Sequence, residues 1–336
     1  MAKATDLHTD LGLKEDDLLS MYRYMLLARA CDERQWALNR MGKAPFVVPV
    51  SGHEAAQVGT GWAFEKGKDV FCPYYRDMAL VLVAGYTAKE VFLGLFGKED
   101  DPSSGGRQMP AHWGAKDRNI ITGSSPIATQ CLHAAGIAYS KKLKKEDAVV
   151  GTWCGEGGTS EGDWHGAMNF AGIHKLPLVF VVENNKYAIS VHVDKQVAGG
   201  VAQRAAGYGM PGILCDGNDV LEVYKHAREA VARARAGEGP SLLELETYRH
   251  YSHTSDDDDR TYRSKEEVAE WKAKDPIPRF AEYLKSVEMI DDNRIESLRE
   301  ETKAEVATGA KEAEDAAFPD PATAARYVYG DLEVTR

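Results

Sequence analysis

Apolar positions along the chain change their period several times, and each change marks an element. From 16 to 40 they recur at helical spacing, with Leu18, Leu19, Tyr22, Met25 and Leu26 opening the stripe, which predicts one long amphipathic helix. Residues 43–51 carry two prolines and read as irregular. Residues 54–64 read as helix, 69–72 as a short strand ending at Tyr74-Tyr75-Arg76, and 77–84 and 88–96 as two further helices. The stretch 98–119 is rich in Gly, Ser and Pro, and a loop that long inside a domain points to function. A helix over 127–141 leads to an almost unbroken apolar strand at 148–154. Next come a helix at 163–174, with Trp164, Ala167, Met168 and Ala171 on one face, and a strand at 178–182. A strand at 212–215 runs into a helix that Asp219 and Glu222 open at capping-box spacing; Gly237 closes it, with Pro240 beyond. Residues 241–246 form a last strand, and the chain beyond 264 is helical and charge-laced.

Unbroken apolar strands joined by helices describe an α/β fold, a parallel sheet flanked by helices and buried on both faces. Length alone would allow two domains. The pattern reads as a single domain over 1–336, with a helical N-terminal arm to about 50, a core to about 260 and a helical tail. Hydrophobic content of 43% supplies a full core, and a net charge of −11 argues against nucleic acid. The five cysteines lack C-x-x-C spacing, which fits a reducing compartment and a cytoplasmic location. Met1–Asp6 has no apolar segment of the kind a signal peptide needs, and no apolar run is long enough to span a membrane.

Parallel sheets of this kind bind ligands at the carboxyl ends of their strands. One predicted strand runs into Gly155-Glu156-Gly157 and the next into Asn184-Asn185. A carboxylate and an amide oxygen beside a helix N-terminus suit Mg²⁺ carrying a diphosphate, and glycines let a large anion approach the backbone. An ordinary βαβ turn accounts for the glycines equally well. The nicotinamide fingerprint does not fit: Ser160 stands where its third Gly is needed, and no acid follows at the required distance. No phosphate-loop motif occurs. A G-[DE]-G motif followed roughly 25 to 30 residues later by N-N, in a strand–helix–strand context, is the pattern of thiamine-diphosphate sites.

From about Tyr22 to the C-terminal helix the chain resembles the alpha subunit of the thiamine-diphosphate-dependent 2-oxo acid dehydrogenase decarboxylating component. The resemblance rests on ordered blocks: Gly52-His53-Glu54-Ala55, Tyr74-Tyr75-Arg76-Asp77, Gly106 to His112, Ser124 to Gln130, Gly155 to Asp163, Asn184 to Ser190, and Tyr248 to Asp259. Arg107-Gln108-Met109-Pro110 and Ser124-Ser125-Pro126 favour the branched-chain (2-oxoisovalerate) type over the pyruvate or acetoin types. Glu183 departs from that type, which carries Arg there, and removes one candidate diphosphate contact.

The resemblance implies a thiamine-diphosphate-binding fold that decarboxylates a small 2-oxo acid and passes the acyl group to a lipoyl arm. Glu156, the Asn185 side chain and the Tyr187 carbonyl would hold Mg²⁺, with Tyr75, Arg76, Ser125, Ile127, Gly155 and Gly157 on the cofactor. Ser124, Pro126, Thr129 and Gln130 would hold K⁺, although a capped helix start explains them as well. His253 is the candidate catalytic residue and His112 a second candidate; a histidine in a polar loop is otherwise a surface residue. The aspartates 256–259 read as a solvated run capping the next helix. The expected partners are a beta subunit, in an α₂β₂ assembly that completes the active site, and a lipoyl acyltransferase core. The rival class is a non-catalytic diphosphate-binding or assembly subunit.

Overall fold

Five parallel strands form the centre of the protein in the order β1-β2-β3-β7-β6: β1 (Val70–Cys72), β2 (Val150–Gly155), β3 (Leu178–Asn184), β6 (Gly212–Asp216) and β7 (Ser241–Glu246). Two further strands, β4 (Tyr187–Ala188) and β5 (Val191–His192), make a small antiparallel hairpin just after β3. This computed structural model describes residues 7–326. Met1–Asp6, on which the signal-peptide expectation rests, and the last ten residues of the expected tail lie outside the described residues.

The two faces of the sheet follow the two-residue period of a strand. Val179 and Val181 face one apolar cluster together with Trp153, Leu243 and Leu245. Leu178, Phe180 and Val182 face the other with Val150, Cys154 and Leu242. Helices α6 (Thr129–Lys144) and α7 (Gly162–His174) cover the second face. The first face carries α2 (Glu15–Arg40), α3 (Glu54–Trp62), α4 (Met78–Ala84), α5 (Ala88–Phe96) and α8 (Val220–Arg235), joined by α10 (Pro276–Ser286) and α11 (Asp292–Asp315). The N-terminal helical segment is packed into this core: α2 lies against α11, α3 and α4, with Leu18, Tyr22 and Met25 fully buried. Short helices α1 (Leu7–Asp10) and α9 (Lys265–Lys272) complete the set. No described helix is long and apolar enough to cross a membrane.

Two local expectations are corrected. Asp219 caps α8 by accepting the Leu221 and Glu222 N–H groups, but Glu222 returns to the N–H of Asp216 and not to that of the cap, so the reciprocal box is not closed. Ile127 stands outside its helix. α6 starts at Thr129, after Ala128 in the left-handed conformation (φ 68°), and no side chain caps it.

The block Gly52 to Ala55 proves to be scaffolding. Gly52 has φ 99°, and a Cβ there would lie 1.9 Å from the Tyr248 carbonyl oxygen. Its N–H donates to Glu54, whose other oxygen accepts from Arg29, while Ser51 O accepts the His250 N–H. Gly52→Ala should therefore lose several kcal/mol of stability, on the order of 3 or more, because backbone strain and overlap act together. A melting temperature within a degree or two of wild type would contradict this.

Candidate active site

All five core strands run the same way, so their carboxyl ends share one edge of the sheet. A cavity of about 290 Å³ opens there, lined by Tyr75, Arg76, Glu156, Asn185, Tyr187 and His253. Ile127, Gly155 and Gly157 also line it, as does Tyr74. Gly157 is needed for space: a Cβ there would meet the Ala188 methyl at 2.7 Å and Gln196 Nε2 at 3.1 Å. Backbone strain gathers at the same place. Ala128 and Ile189 line the cavity with φ of 68° and 54°, and a β-branched residue in that region is an outlier of the sort found at ligand sites.

Glu156 is 1% exposed. Its Oε2 accepts the Asn185 N–H at 3.1 Å, and its Oε1 has no partner among the described residues. Burial pushes its proton affinity above the ordinary carboxyl range, against the opposing pull of backbone N–H groups and of Arg249 and Arg76. A buried carboxylate with a free oxygen, beside the neutral oxygens of Asn185 and Tyr187, fits Mg²⁺, which takes one or two carboxylates and fills its octahedron with phosphate oxygens and water. Among the described residues no cluster of three His, Cys, Asp or Glu could hold a metal alone.

The cationic side is equally unfinished. Arg76 is 1% exposed, so it is no surface arginine. Its Nη1 donates to Pro49 O at 2.6 Å and its Nη2 to His253 Nδ1 at 3.2 Å, while Nε has no described partner. Arg249, which the sequence reading did not single out, is also 1% exposed. It sits behind the Tyr187–Ile189 wall, donating to Ile189 O at 2.8 Å, with Nε and Nη1 unpartnered among the described residues. Burial lowers its proton affinity, and the Arg76 charge lowers it further. Neither arginine has an ion pair within 4 Å among the described residues. Two buried, uncompensated guanidiniums are costly, and a diphosphate is the kind of group that would balance them. The signal for Arg249 was its place just past the carboxyl end of β7.

His253 lies between these cations and a second cavity. Burial, then Arg76 and Arg249, lower the pKa of its ring from the ordinary 6.5 to about 3. Arginine only donates, so Nδ1 accepts and the neutral ring carries its proton on Nε2. The aspartate run is not simply solvated. Asp257 accepts the His253 N–H at 2.8 Å and the Tyr262 hydroxyl, Asp258 caps a short turn, and Asp259 holds Arg263.

Phe46, Val48, Met109, Pro110 and Ala111 line the second cavity, about 280 Å³, which shares Tyr75, Ser124, Ile127 and His253 with the first. Ser125 belongs here and not to the first cavity. Its hydroxyl donates to His112 Nε2 at 2.6 Å, because Nδ1 of that ring faces the Met109 carbonyl at 3.0 Å and must hold the proton. The candidate cation residues are split. Ser124 and Gln130 line the first cavity, with Gln130 Nε2 on Trp153 O, whereas Pro126 lies outside it and Thr129 donates to Asp163. Glu183 lines neither cavity. It accepts from Tyr74 and Gln57, and burial raises its pKa to about 7 against the hydrogen bonds from Tyr74, Gln57 and Asp77 that lower it. The Cys154 thiol, beside Cys131 and buried, is pushed up and is a small core residue, not a reactive one.

A family profile described as dehydrogenase E1 component matches residues 22–322. The chain is 50% identical to the 2-oxoisovalerate dehydrogenase subunit alpha of Bacillus subtilis (strain 168), over 97% of this chain and 99% of that protein. It is 41% identical to the 3-methyl-2-oxobutanoate dehydrogenase subunit alpha of Mycobacterium tuberculosis (strain CDC 1551 / Oshkosh), over 94% and 81%. It is 37% identical to the pyruvate dehydrogenase E1 component subunit alpha of Staphylococcus aureus (strain Mu50 / ATCC 700699), over 95% and 84%.

Proposed function

The chain belongs to the dehydrogenase E1 component family, and on that premise we propose that it is the alpha subunit of a branched-chain 2-oxo acid dehydrogenase. The observation that carries the mechanism is the pair of cavities with a shared wall: one has a free buried carboxylate oxygen, Arg76 in its lining and Arg249 behind it, neither arginine paired among the described residues; the other has a largely apolar lining. The family depends on thiamine diphosphate, which when bound supplies the electron sink for decarboxylation. Glu156, the Asn185 side chain and the Tyr187 carbonyl are suited to hold Mg²⁺. Tyr75, Arg76, Ile127, Gly155 and Gly157 are placed to hold the cofactor, with Arg249 balancing its charge from behind. Ser124 and Gln130 are the two members of the proposed K⁺ set that reach this cavity.

The second cavity supports the substrate class. Its Phe46, Val48 and Met109 suit a short branched alkyl chain by burying apolar surface, with His253 and the Ser125–His112 pair at its polar end. His253 offers a hydrogen bond from Nε2 to charge developing on the substrate. In the cofactor-free protein burial and the two arginine charges keep the ring neutral. Glu183 lines neither cavity and reaches the first only through Tyr74, a wall residue whose hydroxyl it accepts. An alpha subunit implies a beta subunit; the fuller proposal is an α₂β₂ heterotetramer that feeds a lipoyl acyltransferase core. The 1–336 chain is proposed to be one thiamine-diphosphate-binding domain.

Purified alone, the chain should release no CO₂ from any 2-oxo acid. With its beta chain, thiamine diphosphate and Mg²⁺ it should turn over branched-chain acids in preference to pyruvate. Turnover by the isolated chain would sink the half-site assignment. A preference for pyruvate or acetoin would move the protein to that type, and cofactor binding without turnover would favour a non-catalytic subunit.

A further inference from the structure

Glu267 occupies the third position of α9, whose N-cap is Ser264; the Ser264 hydroxyl accepts the Glu267 N–H at 3.1 Å. A glutamate at this position commonly folds back onto the cap residue's own N–H. Here the carboxylate reaches away instead. Oε2 accepts the Tyr187 hydroxyl at 3.0 Å and Oε1 the Tyr248 hydroxyl at 2.9 Å.

These tyrosines belong to the two segments that meet at the first cavity. Tyr187 begins β4, two residues after Asn185, and Tyr248 opens the loop that carries Arg249 and His253. α9 holds the second segment by further contacts. Trp271, one turn after Glu267, stacks on Tyr248 with ring centres 5.2 Å apart and 3° between planes. Arg263, just before the cap, lies over Tyr248 and donates to Arg249 O and Tyr251 O at 2.6 Å each. The polar loop after β7 is therefore tied down by ionic and hydrogen-bonded contacts, despite having little apolar content.

We propose that Glu267 is a positioning residue: its carboxylate joins the metal-side hairpin to the histidine loop, so that cofactor affinity depends on a group that never touches the cofactor. The proposal rests on the reading of the first cavity as a thiamine diphosphate–Mg²⁺ site. Each bond is charge-assisted, and the two oxygens of one carboxylate leave little play between the segments.

The test uses the full chain assembled with its beta subunit, comparing wild type, Glu267→Ala and Glu267→Gln. Calorimetry measures Mg²⁺-dependent thiamine diphosphate affinity, and hydrogen exchange follows residues 186–192 and 248–263 without cofactor. Glu267→Ala should weaken affinity by about ten- to a hundredfold, the scale of one charged hydrogen bond. It should also speed exchange in both segments together. Glu267→Gln should recover most of the loss, because its amide oxygen accepts one hydroxyl and its NH₂ can donate to the other. Wild-type affinity in Glu267→Ala would overturn the proposal whatever its melting temperature, as would faster exchange in one segment only. If the wild type itself fails to bind thiamine diphosphate, the cofactor reading falls, and exchange in the two segments still decides whether Glu267 joins them.

Discussion

Glu156→Ala weakens Mg²⁺-dependent binding of thiamine diphosphate by at least about a hundredfold and leaves the fold in place. Glu156 is the one carboxylate among the proposed metal ligands, and its free Oε1 is buried at the cavity floor. Asn185 and Tyr187 contribute only neutral oxygens, so without Glu156 the protein would add no charge to balance the cation beyond that of the diphosphate. Removing the anionic member should cost on the order of 3–5 kcal/mol, as when one partner of a buried charge pair is deleted. That is roughly two to three and a half decades in affinity. The cofactor-free protein has less at stake. Burial already penalises the Glu156 charge, so its removal relieves a desolvation cost while leaving only the Asn185 N–H without its acceptor. Calorimetric titration in Mg²⁺, beside a thermal melt without cofactor, separates the two effects. Unchanged affinity would refute the ligand assignment, and a collapsed melt would make Glu156 structural.

His253→Ala impairs acyl transfer to the lipoyl arm by about 10² to 10³, the scale of one positioned donor to developing charge. The ring stands where both cavities meet, and its Nδ1 is committed to Arg76, which aims the Nε2 proton elsewhere. A surface-loop histidine would leave the rate unchanged. Stability should fall by only about 1 kcal/mol, because Arg76 Nη2 keeps its bond to the His253 carbonyl oxygen. Rates with lipoyl protein and with an artificial electron acceptor, compared side by side, show whether the transfer step is the one affected. Wild-type rates in both assays would exclude His253 from the chemistry.

The same variant carries a pH signature. The folded-state pKa of His253, about 3, lies below its ordinary 6.5. Between those values the unfolded chain binds a proton that the folded chain refuses, so the contribution of the neutral ring is whole above about 6.5 and is lost as pH falls towards 3. The cofactor-free melting temperature should thus decline less steeply below pH 6.5 in His253→Ala than in wild type. Parallel declines would mean that the ring is charged in the folded protein.

The sequence by itself determined the α/β order, the strand that becomes β7 to the residue, and the carboxyl-end positions of Glu156, Asn185 and Arg76. Those features follow from local rules: an apolar run buried on both faces becomes a parallel strand, and its end becomes a site edge. Tertiary structure decided which residues share a wall. Ser125 turned to His112 in the second cavity, Thr129 turned to Asp163, and Pro126 was left outside. Only packing between distant segments could settle this, because one bond rotation aims a serine or threonine hydroxyl at either neighbour. It also set the charge on His253, since nothing local in 248–259 places Arg76, 177 positions away, against that ring. Arg249 became part of the site for the same reason: its burial behind the Tyr187–Ile189 hairpin, with no acid to pair it among the described residues, arises only when β7 and β3 lie side by side.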